Sequence, residues 1–122
     1  MSSYYEWEGF SEIYLEDSFV LAISELDNEI SFIVEIVLTE NHPLYTKIKE
    51  NEKYCYKRGK IIFQNLNKVK WLDKNIKPFT DSAGTEDYGN IDIFELSDEG
   101  YELSGDWGML KVNSSPVKLV WM

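Results

Sequence analysis

In the stretch DSAGTEDYGNIDIFEL, residues 81–96, the carboxylates of Asp81, Glu86 and Asp87 are crowded together and two glycines loosen the chain around them. Oxygen donors so clustered repel one another unless they are solvated or hold a hard cation such as calcium. A helix–loop–helix calcium loop needs glycine at its sixth position and a bidentate Glu at its twelfth. Counted from Asp81, those positions hold Glu86 and Asp92, so that motif fails. What stays open is an irregular cation site from Asp81, Glu86 and Asp87, against a polar surface connector whose glycines permit positive φ.

Nucleophilic chemistry has few residues to draw on. His42 is the only histidine and precedes Pro43, and no Gly-x-Ser-x-Gly elbow accompanies it. Cys55 is the only cysteine, which excludes an intrachain disulfide and the usual zinc spacings. It lies between Tyr54 and Tyr56, where a buried thiol serves as a small apolar side chain. If exposed, its thiolate would be favoured by Lys53, Lys57 and Arg58. A carboxylate pair for glycoside hydrolysis has no specific signature among 22 acids. Glu35 is the acid most embedded in apolar sequence, and alternation puts it on the outward face with Glu29. No nucleotide-binding glycine motif occurs. The expectation is a chain without catalytic residues or cofactor.

Binding chemistry is better supplied. KYCYKRGKIIFQNLNKVKW, residues 53–71, interleaves cations with Tyr54, Tyr56, Phe63 and Trp71, the mixture that single-strand nucleic-acid binders use for phosphates and base stacking. A pI of about 4.5 opposes that partner. Four tryptophans and eight tyrosines could form a carbohydrate platform, and a barrel interior could take a small apolar ligand. At the N-terminus Tyr4, Tyr5, Trp7 and Phe10 stand among Glu6, Glu8 and Glu12, an aromatic–acidic mixture suited to a protein contact or to a first strand packing the core. With Lys57, Arg58 and Trp71 these are the partner-binding candidates. The leading expectation is a protein–protein interaction module for a basic partner, or one that self-associates. Its sharpest form is neutralisation of that partner. Bacterial immunity proteins against basic nuclease toxins share the small size, acidity and scarcity of cysteine, although no motif ties this chain to them.

These residues need elements to position them. The 122 residues suffice for one domain with its own core, and no disulfide or metal staple is required. With 43% hydrophobic and 28% charged residues the composition is that of a globular chain. No signal peptide and no apolar run of membrane-spanning length is visible, from which a cytoplasmic protein is expected.

Charge is ordered along the sequence. Residues 1–46 carry ten acids and no Lys or Arg, residues 47–78 have a balance of +7, and residues 79–122 a balance of −7. Middle strands facing acidic neighbours would explain this pattern, since opposite charges on paired strands help set register. Periodicity is two throughout. Ile30, Phe32, Val34, Ile36 and Leu38 alternate with polar residues, and Phe19, Leu21 and Ile23 are expected on one side of the preceding strand. Asp27-Asn28 supplies the hairpin turn between them. Arg58-Gly59 and Leu66-Asn67 read as turns, LYTKIKENEK as weakly helical or loop, and Gly105 and Gly108 as sites of bulges or bends. The architecture expected is all-β: a single-domain antiparallel sandwich or barrel over residues 1–122, of about eight strands, with at most one short helix near 43–52.

Overall fold

The alternation of Ile30, Phe32, Val34, Ile36 and Leu38 produces β3 (Glu29–Leu38), and all five side chains are buried. The computed structural model describes residues 1–122. Strand β3 pairs on one side with β2 (Ile13–Leu26) across the Asp27-Asn28 turn. On the other side it pairs with β4 (Cys55–Gln64) in unbroken register from Glu29–Gln64 to Leu38–Cys55. The remaining strands are β1 (Ser2–Ser3), β5 (Lys68–Lys74), β6 (Phe79–Thr80), β7 (Glu86–Asp87), β8 (Ile93–Ser97), β9 (Gly100–Gly105), β10 (Gly108–Asn113) and β11 (Lys118–Trp121).

Two antiparallel sheets result, β1-β8-β9-β10-β5 and β11-β4-β3-β2, with β6-β7 as a separate small hairpin. The sheets stay open at their edges, so the molecule is a sandwich and not a closed barrel. Between them lies one cluster of 20 buried residues. Phe32, Phe63, Phe94 and Trp107 lie at its centre, with rings meeting edge-on or tilted at centroid distances of 5.0–6.4 Å. That space is filled by side chains and holds no barrel-type ligand cavity.

Two local expectations are corrected, and of the two alternatives for LYTKIKENEK the loop is found. No helix forms near 43–52; the link between β3 and β4 makes only isolated turns, such as Tyr45 N–H to His42 C=O at 3.0 Å. Leu44 and Ile48 remain exposed there, and a segment this short without a buried face cannot offset the cost of helix nucleation. Arg58-Gly59 is not a turn but the middle of β4. Gly59 faces the core, where a Cβ would come within 3.0 Å of both Ile36 Cδ1 and Leu119 Cδ1. Glycine is used here for close packing.

The second correction concerns β2. Its register shifts twice, between Tyr14 and Phe19 and between Val20 and Ala22. Phe19 pairs with outward-facing Glu35, whereas Ile23 pairs with Phe32 over the core, so the two lie on opposite faces. In the first shift Leu15–Ser18 oppose Ile36 alone, and the Ser18 hydroxyl fills the gap in the ladder. Bulges re-aim side chains in this way. Here the bulge turns Glu16, Asp17 and Phe19 toward one end of the sandwich.

Candidate functional site: an acidic cleft beside the bulge of β2

A cleft of about 400 Å³ opens where four pieces of chain meet. The bulge of β2 supplies Glu16, Asp17, Ser18 and Phe19; the β6-β7 hairpin supplies Phe79 and Asp87; the following loop supplies Gly89 and Asn90; the β9-β10 turn supplies Asp106. Each piece is held for a local reason. Residues 88–91 run along the edge of β2, with Tyr88 N–H donating to Val20 C=O at 2.8 Å and Val20 N–H to Gly89 C=O at 2.7 Å. Gly89 has φ of +91°, and any side chain there would collide with the Asp106 carboxylate. Trp107 turns inward from the β9-β10 turn, is fully buried, and donates Nε1–H to the Asn90 carbonyl at 2.9 Å.

The electrostatics are one-sided. The molecule has three ion pairs, Arg58–Glu35, Lys74–Glu25 and Lys111–Glu99, and none involves Glu16, Asp17, Asp87 or Asp106. Three of these four carboxylates are oriented by neutral donors. Tyr4 Oη donates to Glu16 at 2.5 Å, Tyr54 Oη to Asp17 at 2.9 Å, and Gly89 N–H to Asp87 at 2.8 Å. Burial first, then the Glu16 contact, holds the Tyr4 phenol well above its ordinary range, so it remains a donor. Asn90 spends its Nδ2 hydrogens on Glu16 C=O and Asp92, and its Oδ1 is the one buried side-chain polar atom without a partner. Two phenyl rings flank the acids, Phe19 at 40% and Phe79 at 56% exposure. Such a site can take a cation and the apolar stem that carries it.

The residues singled out from sequence are distributed otherwise. Asp81 organises the β6-β7 turn, its Oδ1 accepting the N–H groups of Ala83 and Thr85, both at 2.9 Å. Asp81, Glu86 and Asp87 do not converge, and no three His, Cys, Asp or Glu side chains form a set able to hold a metal ion. Tyr4 and Phe10 are core residues and Trp7 is half-buried against Phe94 and Tyr101, so the N-terminal aromatics do not form a contact patch; Tyr5 alone is exposed. Arg58 pairs with Glu35 on the outer face of its sheet, while Lys57 stands opposite buried Ile36 on the inner side. Trp71 is tied through Nε1–H to Glu25 at 2.7 Å. Phe63 is fully buried and Tyr56 lies beside Phe19, so the basic–aromatic segment has no common stacking face. Cys55 is buried.

Of the cleft residues, only Asp87 had been singled out from sequence. Glu16 and Asp17 are adjacent but lie far from Asp87 and Asp106 in the chain, and no motif announces them.

A second concavity, about 390 Å³ and mostly apolar, lies beneath the 39–54 loop between Tyr14, Val37, Leu38, Tyr45, Ile48 and Tyr54. No helix of the molecule is long and apolar enough to cross a membrane. No protein-family model, curated protein or solved structure matches this chain.

Proposed function

We propose that this chain is a non-catalytic binding module whose cleft receives a cationic segment of another protein. The observation that carries the reading is the set of four carboxylates, Glu16, Asp17, Asp87 and Asp106, which share one concavity and have no Lys or Arg partner. A Lys or Arg side chain entering it would meet acids at its charged end and Phe19 and Phe79 along its stem. A net charge of −10 would steer a basic partner toward the molecule, raising the association rate at low salt. Neutralising a basic protein is the sharpest form of this role.

The test is calorimetric titration with a lysine- and arginine-rich peptide. Asp87→Asn with Asp106→Asn is expected to weaken binding about tenfold or more, whereas neutralising Glu8 and Glu40, exposed acids that do not line the cleft, should change it little. Equal losses from both pairs would reduce the interaction to general charge attraction and reject the cleft.

A second reading, a small apolar ligand, draws support from the concavity beneath the 39–54 loop alone. Quenching of Tyr fluorescence by a hydrophobic probe, abolished by Ile48→Lys, would favour it. The same quenching in the variant would reject it.

A further inference from the structure

The outer face of the five-stranded sheet carries a row of four charges across four strands. Glu95 on β8 stands directly opposite Glu102 on β9, Glu102 opposite Lys111 on β10, and Lys111 opposite Lys70 on β5. Their sequence neighbours Phe94, Leu103 and Leu110 are buried in the core, so the row points outward. With strands about 4.8 Å apart, it extends about 14 Å and reads minus, minus, plus, plus.

Within one molecule this arrangement is poorly satisfied. Like charges directly opposite on paired strands are destabilising, and the row contains two such pairs, Glu95–Glu102 and Lys111–Lys70. Only Lys111 joins an ion pair, a long one of 3.9 Å with Glu99, outside the row. Glu102 and Lys111 are neighbours across strands but form no ion pair.

We propose that this face pairs with the same face of a second copy of the chain. A row that changes sign at its midpoint is complementary to itself under a twofold axis. With the axis parallel to the strands between β9 and β10, Glu95 faces Lys70 of the second copy and Glu102 faces its Lys111. The reciprocal contacts follow by symmetry, as an isologous interface requires. All four unfavourable neighbours then gain an opposite charge. The adjoining row is Ile93, Ser104, Met109 and Asp73, and the same axis sets Ser104 against Met109 of the second copy and Ile93 against its Asp73. A foreign partner would have to carry the inverted pattern, which this chain already carries. The face is separate from the cleft and shares no residue with it.

The experiment is sedimentation equilibrium of the whole chain at about 0.15 M and about 1 M salt, between which the screening length falls from about 8 Å, short enough to damp the repulsion between two net-negative copies, to about 3 Å. A dimer is expected at the lower salt, with monomer favoured at the higher. Lys70→Glu with Lys111→Glu makes the row wholly acidic, and Glu95→Lys with Glu102→Lys makes it wholly basic. Each variant alone should be monomeric, and their equimolar mixture should form a heterodimer. Because reversal adds repulsion within the sheet, Lys70→Gln with Lys111→Gln is the gentler variant, expected to weaken the dimer about tenfold or more. A wild-type chain that stays monomeric at the lower salt overturns the proposal. So does a mixture that fails to associate, or a Gln variant that dimerises like wild type.

Discussion

The Ser18 hydroxyl accepts the Val37 N–H at 2.9 Å and donates to the Tyr14 carbonyl at 2.7 Å, standing in for a missing rung between β2 and β3. Ser18 and Val37 are both buried, so the Val37 N–H has no water as a substitute. The bulge held by this contact is what turns Glu16, Asp17 and Phe19 toward the cleft. A single polar side chain thus connects the hydrogen-bond accounting of the sheet to the geometry of the site.

Ser18→Ala leaves the buried Val37 N–H without a partner, so unfolding stability should fall by about 1–3 kcal/mol in denaturant titrations. Peptide binding should weaken with it, because Glu16 and Asp17 lose their fixed aim. Unchanged stability would mean that the bulge is held by something other than Ser18.

Tyr4 controls the alkaline side. Its phenol is held above the ordinary range of about 10 by burial and by Glu16, so its contribution is fully present below that pH and is lost as pH rises through the folded-state value. Wild type should therefore lose stability more steeply than Tyr4→Phe on going from about pH 9 to about pH 11. Parallel curves for the two proteins would contradict this.

Glu25 joins the edge of β2 to the edge of β5 across the opening of the sandwich. The hydrogen bond from Lys74, assisted by Trp71 Nε1–H against an opposing effect of burial, holds its carboxyl below the usual range. Its contribution is present above the unfolded-state value and disappears as pH falls through the folded one. The pair is largely exposed, so Glu25→Gln should cost about 0–1 kcal/mol at neutral pH and nothing in strong acid. Thermal melts at the two pH values measure this difference.

Trp107 packs against Phe32 and Trp71 and anchors the Asn90 loop, so Trp107→Ala should cost about 3–5 kcal/mol. Denaturant midpoints measure that loss. Trp107→Phe keeps most of the volume and removes the bond to Asn90, and should lower peptide affinity more than its smaller stability loss accounts for.

Much of the sandwich was legible in sequence, because alternation such as that of Ile30 through Leu38 reports burial directly and Asp27-Asn28 marks its turn. The eight strands of four or more residues match the number expected. Legibility failed where tertiary contact overrides local pattern. Gly59 reads as a turn but clears space for Ile36 and Leu119. Tyr4 and Phe10 read as either a contact patch or core, and local pattern could not decide; the 3₁₀ turn Tyr4–Glu6 and the chain after it fold both against the core. In β2, the spacing of Leu15, Ser18 and Val20 broke strict alternation and was the only trace of the bulge. The cleft itself was hidden, since its acids converge only after β2, the β6-β7 hairpin and the β9-β10 turn have packed. The acidic stretch around Asp81 and Asp87 builds one wall of that cleft, and the residues after it cover the edge of β2.

The most direct measurement of the central claim is an amide chemical-shift titration of the isotopically labelled chain with the lysine- and arginine-rich peptide at moderate salt. Saturable shifts are predicted at residues 16–19, 79, 87–90 and 106, with little change around Glu8, Glu40, Glu50 and Glu52. Shifts spread evenly over the acidic surface, or none at the bulge of β2, would contradict the assignment of this cleft as the binding site.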